Sequence, residues 1–188
     1  APSEFLDHIG APLQDGLMLV QNTLVGLGIR DQVKLIASGK LISAHDLART
    51  SSIGADVCNM ARGFMFSLGC IQALSCHNGK CPTGITTQDK SRSRALVVSD
   101  KSERVFNFHD STLRALKEIV ESAGIDHPNK FQPEHLVIRK DGKQLGSALT
   151  IFPWLNNKDL LKKSSHKDHP AFEKFWDKSS EETFVYRS

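Results

Sequence analysis

An α/β fold built on parallel strands is the class this sequence predicts, and two observations predict it. Helical and strand-like patterns alternate between residues 13 and 70, and the connections between them are short. Only two such strands stand out, and two parallel strands make no stable sheet, because a parallel sheet needs both faces covered. The expectation is therefore a piece of a barrel or of a doubly wound sheet.

Leu13, Leu17, Val20, Leu24 and Leu27 recur at helical spacing, and Gly28 stands where a helix cap belongs, which predicts an amphipathic helix. Residues 33–37 read as a short buried strand leading into Ser38-Gly39-Lys40. Ser43 and Asp46 have the spacing of a capping box for a second helix that stops near Gly54. Residues 55–61 read as another buried strand, followed by Arg62-Gly63 and an apolar helix running towards Cys70. Residues 90–103 are polar and charged and are expected to cross the surface. Leu113, Leu116, Ile119, Val120 and Ala123 mark one more helix, capped by Asp110 or Ser111 and stopped by Gly124. Beyond His127-Pro128 the character changes. Residues 136–139 and 143–149 flank Asp141-Gly142, which predicts a hairpin. The tail mixes a basic, His-containing run with Phe172, Phe175 and Trp176, whose expected use is core packing.

The 188 residues are 39% apolar and 24% charged, the balance of a globular domain. A net charge of +3 with scattered basic residues gives no argument for nucleic acid. No apolar run approaches the roughly 20 residues of a membrane-spanning helix, and nothing reads as a secretory leader. Four cysteines without secretory features fit a reducing, cytoplasmic setting, where they bind metal or do redox work. The chain opens at Ala1-Pro2-Ser3 without a methionine, which suits the C-terminal part of something longer.

Three of those cysteines lie in one stretch, Cys70-Ile-Gln-Ala-Leu-Ser-Cys76-His-Asn-Gly-Lys-Cys81-Pro. Thiolates spaced this closely suggest a loop wrapping an iron–sulfur cluster, and a three-iron cluster needs three protein sulfurs. Two alternatives stand beside it: three unconnected cysteines, or a Cys3His zinc site completed by His77. Cys58 sits in an apolar run and reads as core. Ser38-Gly39-Lys40 and Ala61-Arg62-Gly63 follow the two predicted strands, at whose carboxyl ends ligands bind in such folds. Glycine permits close approach to a phosphate, and Lys40 and Arg62 add charge. The plain alternative is that these glycines only build turns. His8, His45 and His109 stand alone and read as surface or capping residues.

The stretch from Gly69 through Asp89, with Cys81-Pro82-Thr83-Gly84 at its centre, resembles the cluster-binding signature of the glutamate synthase family. Residues 55–65, Ser38-Gly39-Lys40 and the first ten residues are similar to that family as well, so the likeness runs over about residues 1–139. It implies a (β/α)8 TIM-type barrel that binds FMN beside a 3Fe-4S cluster. Residues 1–128 would be the C-terminal part of that barrel, with the cluster loop at 66–89, and residues 129–188 a small extension. The resemblance makes Cys70, Cys76 and Cys81 the cluster ligands. It sets Ser38, Gly39 and Lys40 after the seventh strand and Ala61, Arg62 and Gly63 after the eighth, both facing the FMN phosphate. The family's Asp-Gly-Gly-Thr-Gly segment is absent from these 188 residues, so most flavin-ring contacts and the substrate pocket are expected in a preceding part.

The function implied is reductive amination of a 2-oxo acid through an imino acid, or a related amino-acid redox reaction, with electrons from ferredoxin or a nicotinamide-linked partner. No residue here reads as a general acid or base, so the catalytic residues are left unassigned. The alternative is a non-enzymatic iron–sulfur or zinc-binding module. A part-barrel exposes apolar faces, which predicts pairing with the preceding part or self-association.

Overall fold

The computed structural model describes residue 5, residues 9–140, residue 142, and residues 144–162 and 169–183. The order of elements is α1 (Leu13–Leu27), β1 (Ile36–Ser38), α2 (Ala44–Ser52), β2 (Val57–Asn59), α3 (Ala61–Ser67), α4 (Lys90–Ser93), α5 (Val98–Ser122), β3 (Val137–Lys140), β4 (Gln144–Ser147), α6 (Ala148–Ile151) and α7 (Pro170–Glu173). The fold is thus mixed α/β. Its sheets are small: β1 pairs with β2, and β3 with β4, and among the described residues no barrel portion is seen.

Four helices end in one way. After α1, α2, α3 and α5 a glycine turns left-handed, at Gly28, Gly54, Gly69 and Gly124. In each case the glycine N–H returns to the carbonyl three residues back, and the next residue's N–H to the one five back. This closes the helix's last unpaired carbonyls. Three of these stops are legible in the sequence, Gly28 and Gly124 after apolar periodicity and Gly54 after a capping box. The fourth, Gly69, follows a helix too short for a periodic signal.

The chain divides into two compact units. One comprises residues 14–37, 49–57 and 129–188. Here α1 buries Leu17, Met18 and Asn22. Asn22 works as a clamp: its side-chain amide donates to the Met18 and Pro153 carbonyls at 3.0 and 3.3 Å, and its oxygen accepts the Leu155 N–H at 2.8 Å. A Cβ on Gly26 would overlap Leu160 and Leu155, so the C-terminal segment lies directly on the α1 backbone. The predicted hairpin is an antiparallel pair in register Val137↔Ser147 to Lys140↔Gln144, while Asp141 and Lys143 lie outside the described residues. Leu149, expected in the second strand, belongs to α6. Phe172 is buried between His169 and Trp176, the packing role expected of the tail, whereas Phe175 is 49% exposed.

The other unit comprises residues 1–13, 38–48 and 58–128. The predicted capping box is present: the Asp46 carboxylate accepts the Ser43 N–H at 3.0 Å, and the Ser43 hydroxyl accepts the Asp46 N–H at 3.2 Å. Phe64 of α3 meets Phe108 of α5 edge-to-face, with ring centroids 5.3 Å apart. Gly63 allows this approach, since a Cβ there would lie 2.7 Å from the Phe108 ring. The segment expected to cross the surface is mostly exposed and is also helical: α4 covers 90–93, and α5 begins at Val98 rather than at Asp110 or Ser111. The half-buried side of α5 runs through Lys101, Val105, Phe108 and Thr112, a helical row whose first and last members are polar and so escape a hydrophobicity pattern. Asp110 is no cap; it pairs with Arg114 one turn on, at 2.6 Å.

In the first unit, Arg30 donates to the carbonyls of Val33 and Gly54 and to Asp56, each at 2.8 Å. Asp56 also accepts the Leu35 N–H at 2.8 Å. Burial pushes the Asp56 carboxyl up, but the Leu35 N–H, Arg30 and Lys34 outweigh it and hold the carboxyl below its ordinary value. A carboxylate depressed in the folded state adds stability above its unfolded value and loses it as pH falls through the folded one. Unfolding should therefore become easier below about pH 4. Asp56→Asn should remove that acid dependence and cost about 1–3 kcal/mol at neutral pH. Thermal unfolding at a series of acid pH values checks both, and an unchanged slope in the variant contradicts the assignment.

Candidate functional site

The turns that follow β1 and β2 open into one cleft of about 720 Å³ within the second unit. Ser38, Gly39, Lys40, Ala61 and Arg62 line it, together with Cys70, Gln72, Leu74 and Cys76 of the cysteine loop and residues 9–13. Gly63, grouped with them on sequence, does not line it and serves the α3–α5 contact instead. Gly39 has a packing role too: a Cβ there would sit 2.9 Å from that of Leu13. Two cationic side chains and a serine hydroxyl give the cleft the donors that an anion requires.

Backbone strain gathers at the same place. Four non-glycine residues among those described have φ near +60°, and three of them, Lys40, Gln72 and Leu74, line this cleft. Each left-handed residue costs of order 1–2 kcal/mol and persists only where the surroundings enforce it.

The same loop encloses a second, small cavity of about 10 Å³, lined by Cys70, Cys76 and Cys81 with Ile71, Ala73, Leu74, Ser75, Pro82 and Thr83. Cys70, Leu74 and Cys76 line both spaces, so segment 70–76 is a wall common to the two. Cys70 is placed by the end of α3, where Gly69 (φ +102°) donates to Phe66 and the Cys70 N–H to Met65. The left-handed Gln72 then aims its N–H at the Cys70 sulfur, 3.5 Å away. At the other end of the loop, the Thr83 hydroxyl lies 3.3 Å from the Cys81 sulfur. That hydroxyl, then the Thr86 N–H and hydroxyl, pull the Cys81 thiol down to about 6 against the opposing effect of burial. The Thr86 hydroxyl oxygen is itself buried without a hydrogen bond of good geometry. His77 and Cys58 do not line the cavity.

None of the four cysteines is in a disulfide. Among the described residues no three His, Cys, Asp or Glu side chains draw together tightly enough to hold a single metal ion. Sequence reasoning assigned no role to Gln72, Thr83 or Thr86. The signal that points to the threonines is their position, two and five residues after the last loop cysteine and bracketing Gly84.

The fold and this site define a mixed α/β protein with a basic cleft walled by a cysteine loop. The chain belongs to the glutamate synthase family: the model of the conserved region in glutamate synthase matches residues 1–126. It is 42% identical over 148 residues to the glutamate synthase large subunit-like protein YerD of Bacillus subtilis, covering 79% of this chain and 28% of that protein. An archaeal glutamate synthase [NADPH] of Methanocaldococcus jannaschii is 31% identical over 67% of this chain and 25% of its own length. A ferredoxin-dependent glutamate synthase of Pyropia yezoensis is 29% identical over 92% of this chain and 12% of its own. The chain therefore spans about a quarter of the length of the first two. No helix among the described residues is long and apolar enough to cross a membrane.

Two glycines hold the loop in different ways. Gly69 needs only its left-handed backbone, because a Cβ there meets nothing closer than 3.9 Å. Gly84 (φ +81°) is pressed against the Arg92 carbonyl, which occupies the place of a Cβ, while the Arg92 guanidinium donates to the Lys80 carbonyl at 2.8 Å. Gly69→Ala should therefore cost about 1–2 kcal/mol and Gly84→Ala clearly more. Denaturant unfolding of the two variants checks the order, and equal losses contradict it.

Proposed function

We propose that this chain is the part of a glutamate synthase-like oxidoreductase that holds an FMN phosphate in the basic cleft and a 3Fe-4S cluster in the cysteine loop. One observation carries the reading: the wall 70–76 borders both the cleft with Lys40 and Arg62 and the cavity lined by Cys70, Cys76 and Cys81. The residues fit a cluster. Three thiols line one cavity, the Gln72 N–H donates to the Cys70 sulfur, and the Thr83 hydroxyl lies 3.3 Å from the Cys81 sulfur. His77 does not line the cavity, which speaks for three sulfurs alone above a Cys3His zinc site.

When bound, the flavin and the cluster supply the hydride and one-electron chemistry. The chain's own residues hold and insulate. Lys40 and Arg62 neutralise the phosphate, and the Ser38 hydroxyl adds a neutral donor. Cys70, Cys76 and Cys81 ligate as thiolates, which Thr83 and Gln72 stabilise by hydrogen bonds. Among the described residues no Asp, Glu or His lines the cleft. Ile36 and Val57 are 63% and 50% exposed, in keeping with β1 and β2 as the last two strands of a (β/α)8 barrel. The relatives' names, NADPH-linked and ferredoxin-dependent, offer a nicotinamide-linked donor or ferredoxin as the electron source.

The test is a visible absorbance spectrum of the anaerobically purified full-length protein, with flavin, iron and acid-labile sulfide assayed on the same sample. Flavin bands with stoichiometric iron and sulfide are expected. A Lys40→Ala, Arg62→Ala variant should bind flavin at least about tenfold more weakly, as loss of charged hydrogen bonds implies, and keep its iron. A colourless, metal-free protein, or a variant with undiminished flavin, contradicts the reading.

A further inference from the structure

Thr86 Oγ1 is one of two side-chain polar atoms among the described residues that are buried without a hydrogen-bond partner. A buried hydroxyl left unpaired costs about 1–3 kcal/mol, so a partner is expected where it points. Thr86 lies five residues past Cys81, and Thr83, from the same turn, brings its hydroxyl to 3.3 Å of the Cys81 sulfur. Between the two threonines, Gly84 is wedged against the Arg92 carbonyl, so the turn presenting both hydroxyls is braced from behind. Cys81 is itself 8% exposed, which keeps water from competing for the sulfur. Hydrogen bonds to cluster sulfurs are one of the means by which a protein sets a cluster's potential.

We propose that Thr83 and Thr86 donate hydroxyl hydrogen bonds into the sulfur shell of the cluster at Cys81 and thereby hold its reduction potential up. The proposal rests on the cluster reading above. Both threonines are positioning residues: they touch no substrate, and the charge gained on one-electron reduction is what their O–H dipoles stabilise. Reduction therefore becomes harder when either hydroxyl is removed.

The experiment is a redox titration of the full-length protein followed by EPR of the oxidised cluster, with iron per chain measured on each sample. Thr86→Val and Thr83→Val should keep their iron and shift the midpoint to more negative potential. Thr86→Ser, which restores the hydroxyl, should return it towards the unsubstituted value. A Thr86→Val protein with full iron at an unchanged midpoint overturns the proposal. An unsubstituted protein without iron or sulfide overturns the cluster reading itself, a separate failure. If Thr86→Val does not fold, Thr83→Val and the unsubstituted protein transferred to deuterated water decide. An unmoved midpoint in the first, or no exchangeable deuteron coupled to the cluster in the second, overturns it.

Discussion

Where α3 stops, the chain turns left-handed at Gly69 and the N–H groups of Gly69 and Cys70 close back on Phe66 and Met65. The first thiol is thereby fixed to the end of a helix that packs on α5 through Phe64, Phe108 and the missing side chain of Gly63. Everything in the cysteine loop is built out from that anchor. Gln72 and Leu74 accept a costly left-handed backbone, and the Gln72 N–H is delivered to the Cys70 sulfur as a consequence. The far end is held by a second brace, Gly84 against the Arg92 carbonyl, which sets the register of Cys81 and the threonines after it.

The result is a loop with two working faces. Cys70, Leu74 and Cys76 border both the basic cleft and the thiol-lined cavity, so a ligand in one lies one residue layer from a ligand in the other. In a flavin and iron–sulfur protein such a wall positions the two redox groups without adding chemistry of its own.

Much of this was legible from residue types. Apolar periodicity followed by glycine located the ends of α1 and α5, and the Ser43–Asp46 box with Gly54 located α2, because capping is a local interaction. The cysteine spacing located the loop. Three things were not legible. The start of α5 was hidden because its packing row includes Lys101 and Thr112, polar residues at core-facing positions. The left-handed backbone at Lys40, Gln72 and Leu74 was hidden because nothing in those side chains favours it. The packing use of Gly39 and Gly63 was hidden as well: each leaves room for a neighbouring side chain, Leu13 or Phe108.

The account stands on three sulfurs of one loop acting together while Cys58, half-buried on β2, takes no part. Iron per chain in four single variants of the full-length protein, Cys58→Ser, Cys70→Ser, Cys76→Ser and Cys81→Ser, measures this most directly. The account predicts iron retained in Cys58→Ser and lost in each of the other three. Iron kept in any of the three loop variants, or lost in Cys58→Ser with the fold intact, contradicts it.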